Sequence, residues 1–215
     1  MRKFLVLSAL TLALTLTLAT SIQLAKTALA SSCTSPFTDI EDSFAEDDIC
    51  FLYQHGILNG KSEHSFYPND TITRAEFLKI VLLDASYQVY PVQSASFTDI
   101  SGGDWYYRYV TFAHSKGFVE GYSDGSFHPN SQITRAESVQ MLLNISGITN
   151  FDTSEANTSF SDVDDNDWYA SAVAMALEFD IIEGYGDGSF RPNNNLTRAE
   201  AATMAARMWR YLYGS

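Results

Sequence analysis

The sequence predicts a mostly α-helical protein made of three tandem helix–loop–helix repeats. Three observations carry this. One tetrapeptide occurs three times, as Thr73-Arg74-Ala75-Glu76, Thr134-Arg135-Ala136-Glu137 and Thr197-Arg198-Ala199-Glu200, with arginines 61 and 63 residues apart. So even a spacing marks copies of one supersecondary unit. Each tetrapeptide also reads as a helix start: the Thr hydroxyl can accept from the amide of the Glu three residues on, and the Glu carboxylate can reach back to the Thr amide. Finally, apolar residues follow each arginine at +1, +4, +7 and +8: Ala75, Leu78, Val81, Leu82; Ala136, Val139, Leu142, Leu143; Ala199, Ala202, Ala205, Ala206. That is one face of a helix. One unit cannot bury such a face alone, so the three are expected to pack together.

The other elements of the unit follow in order. Each copy opens with an aromatic, a hydroxyl residue, an aspartate and a β-branched residue: Phe37-Thr38-Asp39-Ile40, Phe97-Thr98-Asp99-Ile100, Phe160-Ser161-Asp162-Val163. An acidic stretch leads to Phe44, Trp105 or Trp168. In the second copy a helix is expected over 105–116, capped by Asp104 and stopped by Gly117 in the left-handed conformation. The first copy has His55-Gly56 at that stop and the third has Asp180. Fourteen residues before each arginine lies a glycine: Gly60, Gly121 and Gly184. Copies two and three continue as Gly-Tyr-x-Asp-Gly-Ser-Phe-x-Pro, a tight-turn composition in which Pro129 and Pro192 keep the loop from turning helical. The first copy departs, with Phe44 for Trp, Lys61 for Tyr and Glu63-His64 for Asp-Gly. The units span 37–90, 97–148 and 160–213, with a short tail at 31–36 and little strand expected.

This motif set resembles the S-layer homology (SLH) domain in three tandem repeats. The opening Phe-x-Asp, the Trp-Tyr pair, the glycine loop and the Thr-Arg-Ala-Glu come in that family's order, and the resemblance covers nearly all of the chain after residue 30. It implies a pseudo-threefold bundle with three prongs. It also implies grooves between neighbouring repeats that hold pyruvylated secondary cell-wall polysaccharide and so tether the protein to the envelope.

Residues 1–30 read as a secretory signal peptide: Arg2 and Lys3 precede a sixteen-residue uncharged run at 4–19, and Ala28-Leu29-Ala30 offers a cleavage site. An uncleaved anchor is the rival reading. Without that segment the net charge moves from −13 to −16, with 10 basic against 26 acidic residues. So acidic a chain repels nucleic-acid phosphates and suits an extracytoplasmic location, the cell wall or surface of a bacterium. The two cysteines, Cys33 and Cys50, are expected either as a disulfide pinning the N-terminal tail or as two free thiols.

The candidate ligand-binding residues follow from where charge and flat rings recur. Arg74, Arg135 and Arg198 each follow an N-cap, where free amides and the helix dipole favour an anion. A guanidinium there could grip a carboxylate such as a pyruvyl ketal, worth about 1.5–3 kcal/mol. Asp39, Asp99 and Asp162 recur with the arginines and count among the ligand-binding candidates; the alternative is an internal bridge from each arginine to one of them, and sequence alone leaves both open. Trp105, Trp168, Tyr122 and Tyr185 are expected either to stack on sugar faces or to pack inside. Phe66, Phe127 and Phe190 are expected in the core. Gly60, Gly121 and Gly184 permit close ligand approach or a turn. Grooves lined by the first copy's departures are expected to bind weakly.

Histidines 55, 64, 114 and 128 have no metal-ligand spacing and no repeated nucleophile beside them, so no cofactor, metal or catalytic role is expected. The run from Asp162 to Asp167 lacks the glycine and glutamate of a calcium loop. The sequence thus points to a non-enzymatic anchor that binds cell-wall polysaccharide. A protein-interaction or surface-lattice module is the alternative, and any cargo is expected on another chain. Exchange of Arg135 and Arg198 for Ala is expected to abolish wall binding while helical circular dichroism persists.

Overall fold

A computed structural model describes residues 34–93, 97–148 and 158–214. The expected signal peptide and Cys33 lie outside the described residues, although no described cysteine is free. The chain divides into two units, 1–34 and 35–215, and the helices and grooves all belong to the second.

Six helices are described: α1 (Glu46–Gln54), α2 (Arg74–Asp84), α3 (Tyr107–Ser115), α4 (Arg135–Ser146), α5 (Ala170–Glu178) and α6 (Arg198–Tyr213). Among the described residues there is no strand, only isolated bridges, and no helix is long and apolar enough to cross a membrane. Each repeat contributes two helices, as the sequence predicts, the second longer than the first. The second helices α2, α4 and α6 pack on one another through their alanine, leucine and valine faces, and almost all of these positions are wholly buried. The first helices lie outside: α1 packs on α6, α3 on α2 and α5 on α4. Every first helix therefore covers the second helix of the repeat before it, and the first repeat covers the last. At the α1–α6 contact, Trp209 meets the rings of Phe51 and His55, and Arg210 pairs with Asp48 at 2.8 Å.

Backbone hydrogen bonds close the same circle. The residue two before each arginine donates to its counterpart: Ile133 to Ile72, Leu196 to Ile133, and Ile72 to Leu196, at 3.2, 2.9 and 3.0 Å. All three side chains are wholly buried. Three bridges flank this ring, Thr73–Gln132, Thr134–Asn195 and Thr197–Thr71.

Capping explains where the long helices begin. In each copy the Thr hydroxyl accepts from the Glu amide and the Glu carboxylate accepts from the Thr amide. The short helices start differently. Asp104 does not cap α3; its carboxylate accepts from the Ser101 amide and closes the turn before the helix. Gly56 and Gly117 stop α1 and α3 with φ of 69° and 72°, and Asp180 takes the same left-handed conformation after α5 at 54°.

The glycine loop forms a prong. Tyr122 donates its amide to Ser126 and Tyr185 donates its amide to Ser189, both at 2.8 Å, with Gly125 and Gly188 left-handed at the tips. Lys61 and Ser65 make the same bond in the first repeat at 3.0 Å. A Cβ at Gly60, Gly121 or Gly184 would overlap the ring of Phe37, Phe97 or Phe160. The opening aromatic therefore packs where a side chain on the loop would otherwise stand.

Among the described residues, three side chains carry buried polar atoms without a hydrogen-bond partner: Asp84, Thr158 and Thr203. Asp84, the last residue of α2, is wholly buried and neither carboxyl oxygen has a hydrogen-bond partner. Burial pushes its pKa up to about 8.

Candidate functional site

The three arginines are among the few buried charges, at 7, 6 and 6% exposure for Arg74, Arg135 and Arg198. Each reaches into the next repeat. Arg74 Nε donates to the Phe127 carbonyl at 3.1 Å, Arg135 Nε to Phe190 at 2.8 Å and Arg198 Nε to Phe66 at 2.9 Å. The guanidinium lies over the ring of that same phenylalanine, 4.4–5.0 Å from its centroid. Phe66, Phe127 and Phe190 are core residues, as expected.

The helix amides beside the arginines are not free. Arg74, Arg135 and Arg198 donate their backbone N–H to Ser131, Asn194 and Asp70, and the alanines that follow donate to Pro129, Pro192 and Pro68. With the capping box filling the remaining donors, no amide is left for an anion. The helix dipole still favours negative charge there, but the expected cradle of free N–H groups is occupied by the neighbouring prong.

The aspartates expected beside the arginines sit elsewhere. Asp39 accepts from the amides of Phe66 and Tyr67, Asp99 from Phe127 and His128, and Asp162 from Phe190 and Arg191, all at 2.7–2.8 Å. Tyr67, His128 and Arg191 have φ near 60°, so each aspartate holds a left-handed, non-glycine corner in place. The internal bridge considered for the arginines is made instead by the capping glutamates of the next repeat: Arg74–Glu137 at 3.3 Å and Arg135–Glu200 at 3.0 Å. The tyrosine hydroxyls donate to the same glutamate oxygens, Tyr122 to Glu137 at 2.8 Å and Tyr185 to Glu200 at 2.6 Å. Burial, then donation to Glu200, pushes the Tyr185 phenol up. Burial opposes ionisation of Glu200, yet hydrogen bonds from Tyr185 and Thr197 and the Arg135 charge hold its carboxyl below the ordinary range.

Each arginine stands at the floor of an open groove, and each groove draws on all three repeats. Groove one, about 440 Å³, joins Arg74 of the first repeat, Gly121, Tyr122 and Glu137 of the second, and Trp168 of the third. Groove two, about 200 Å³, joins Arg135, then Gly184, Tyr185 and Glu200, then Phe44. Groove three, about 260 Å³, joins Arg198, then Gly60, Lys61 and Glu76, then Trp105. The ring at the mouth is exposed in every case, Trp168 at 64%, Phe44 at 73% and Trp105 at 51%. An exposed flat ring over a buried cation suits a ligand with an apolar face and a polar or acidic edge.

The structure thus brings the arginines, tyrosines, tryptophans and glycines named from sequence into grooves, and it leaves the aspartates out. The departures of the first repeat scatter: Phe44 lines groove two, Lys61 lines groove three, and Glu63 and His64 line a separate cleft with Phe37. Sequence reasoning missed the glutamates as arginine partners. It also missed Asn59, Glu120 and Glu183, which precede the glycines, and Lys79, Gln140 and Thr203, five residues after each arginine. Their common register in the repeats was the available signal. No group of three or more metal-ligating side chains occurs among the described residues.

A protein of threefold-repeated helices enclosing three inter-repeat grooves is a binding module by architecture. The family profile for the S-layer homology domain matches at 36–78, 96–137 and 159–202, and the chain belongs to that family, in three copies. Domains of this family anchor proteins to the cell wall. The chain is 35% identical over 174 residues to an amylopullulanase of Thermoanaerobacterium thermosulfurigenes, a match covering 78% of this chain and 9% of that protein. It is 37% identical over 165 residues to cell surface glycoprotein 1 of Acetivibrio thermocellus, covering 70% of this chain and 7% of that one. It is 29% identical over 167 residues to S-layer protein EA1 of Bacillus anthracis, covering 76% and 19%. The chain therefore spans a fifth or less of the length of these relatives.

Proposed function

We propose that this chain is a non-catalytic cell-envelope anchor whose three grooves bind successive sugars of a secondary cell-wall polysaccharide, pyruvylated as the family resemblance implies. The observation that carries the reading is the threefold recurrence of an exposed aromatic ring above a buried arginine in an open groove. One sugar held in one groove is a weak contact. Several sugars of one polymer held at once give firm attachment. The catalytic names among the relatives belong to proteins of which the match covers a small fraction, and they do not transfer to this chain. Residues 1–30 serve in this reading as the secretion signal that delivers the module to the wall.

A pull-down tests it. Purified sacculi should retain the chain, and sacculi stripped of polysaccharide by hydrofluoric acid should not. Equal retention after stripping would favour a protein-binding or lattice module instead.

A further inference from the structure

The three grooves differ in charge, and the differences in groove three all run one way. Asn59 stands where grooves one and two have Glu120 and Glu183, Lys61 replaces Tyr122 and Tyr185, and Lys79 replaces Gln140 and Thr203. Groove three is therefore lined by three cations and one carboxylate, Glu76, a net +2. Groove one has Arg74 against Glu120 and Glu137, a net −1. Groove two has Arg135 and Arg207 against Glu183 and Glu200 and is neutral.

The floor differs as well. Arg198 is 6% exposed, and its Nε and Nη2 donate to the carbonyls of Phe66 and Asn59 at 2.9 and 3.0 Å. Among the described residues no carboxylate lies within 4.0 Å of it, whereas Arg74 and Arg135 have Glu137 and Glu200. A buried charge without a direct ion pair is costly, and burial pushes the Arg198 guanidinium down from its ordinary value, an effect that the more distant carboxylates of Glu76, Asp70 and Asp39 offset only in part. At the mouth, Lys79 Nζ stands 5.9 Å from the centre of the Trp105 ring. Lys61 pairs with Asp70 at 2.8 Å, but both side chains are well exposed, so this pair yields easily to a competing anion.

We propose that groove three is the acid-binding groove: it takes the carboxylate-bearing sugar, which supplies the direct ion pair Arg198 lacks, while grooves one and two, whose arginines already hold glutamates, take uncharged sugars. This rests on the saccharide reading above. It reverses the sequence expectation for Lys61, because the first repeat's departure strengthens its groove for an acid. The remaining surface is strongly acidic, so local cations decide where an anion can settle.

Calorimetric titration of the full chain with a pyruvylated methyl hexoside and with its neutral methyl ester separates the grooves. The acid should bind at one site per chain, at least tenfold more tightly than the ester, and the preference should shrink at high salt. Lys61→Ala with Lys79→Ala should weaken acid binding at that site and shrink the preference, with Arg198 keeping the remainder, while the thermal midpoint stays; Lys61→Gln with Lys79→Gln should do the same. Glu120→Asn with Tyr122→Lys and Gln140→Lys should create a second acid-preferring site. Acid preference wholly unchanged by loss of both lysines, or three equal acid sites in the unaltered chain, overturns the assignment but leaves the saccharide reading standing. Failure to bind acid, ester and sacculi alike overturns both.

Discussion

At the residue scale, Arg135 shows how one side chain serves both fold and groove. Its Nε holds the Phe190 carbonyl, its Nη1 pairs with Glu200 and its Nη2 holds the Glu183 carbonyl. Exchange for Ala would take the charge partner from the largely buried Glu200 carboxylate, which keeps Tyr185 and Thr197, and leave two carbonyls without that donor. Loss of one partner of a buried pair costs about 3–5 kcal/mol. Arg135→Ala is therefore expected to lower the thermal midpoint sharply, with loss of helical circular dichroism on mild heating. An unchanged midpoint would contradict this. Asp84 makes the opposite prediction. Its pKa is raised by burial to about 8, so the folded state favours the protonated form. The stability this gives is complete below the ordinary carboxylate range, declines as pH rises towards about 8 and is flat above it. Asp84→Asn should raise the midpoint at pH 8 and flatten its fall between pH 5 and 8. A variant less stable than the unaltered chain at pH 8 would show that the carboxylate is satisfied after all.

At the scale of elements, the long helices were legible and the grooves only partly so. The Thr-x-x-Glu box and the apolar spacing lie within single helices, where neighbours in sequence are neighbours in space, and α2, α4 and α6 begin at the arginines as expected. The arginine partners were not legible, because Arg74 finds Glu137 and Arg135 finds Glu200 one repeat away. Inside each tetrapeptide the Glu already had a role as a cap, which hid its second oxygen. The aspartates misled for a similar reason: Asp99 recurs like a ligand, yet it recurs because His128 needs its corner held. Gly121 tests the prong. A methyl there must displace the Phe97 ring and the Ser126 carbonyl. Gly121→Ala should cost about 1–3 kcal/mol by overpacking, read as a lowered denaturant midpoint. A neutral result would mean that the loop merely turns there.

At the scale of the whole molecule, the three repeats should unfold as one. Every first helix rests on the second helix of another repeat, and α1 rests on α6 across the full length of the chain. Deleting 160–213 removes the support of α1 and opens the buried faces of α2 and α4. The remaining two repeats are expected to give a broad, non-cooperative melt or to aggregate, whereas the intact chain should show one calorimetric transition with matching van't Hoff and calorimetric enthalpies. A sharp transition in the shortened chain would contradict this. The hydrogen-bonded loop of Ile72, Ile133 and Leu196 has a consequence for how such proteins can lengthen. An open stack of repeats can accept one more at its end, because its last member still has a face to offer. Here the third copy returns its bond to the first and no end remains. A fourth copy would have to break the circle, so growth must come as a second complete triplet.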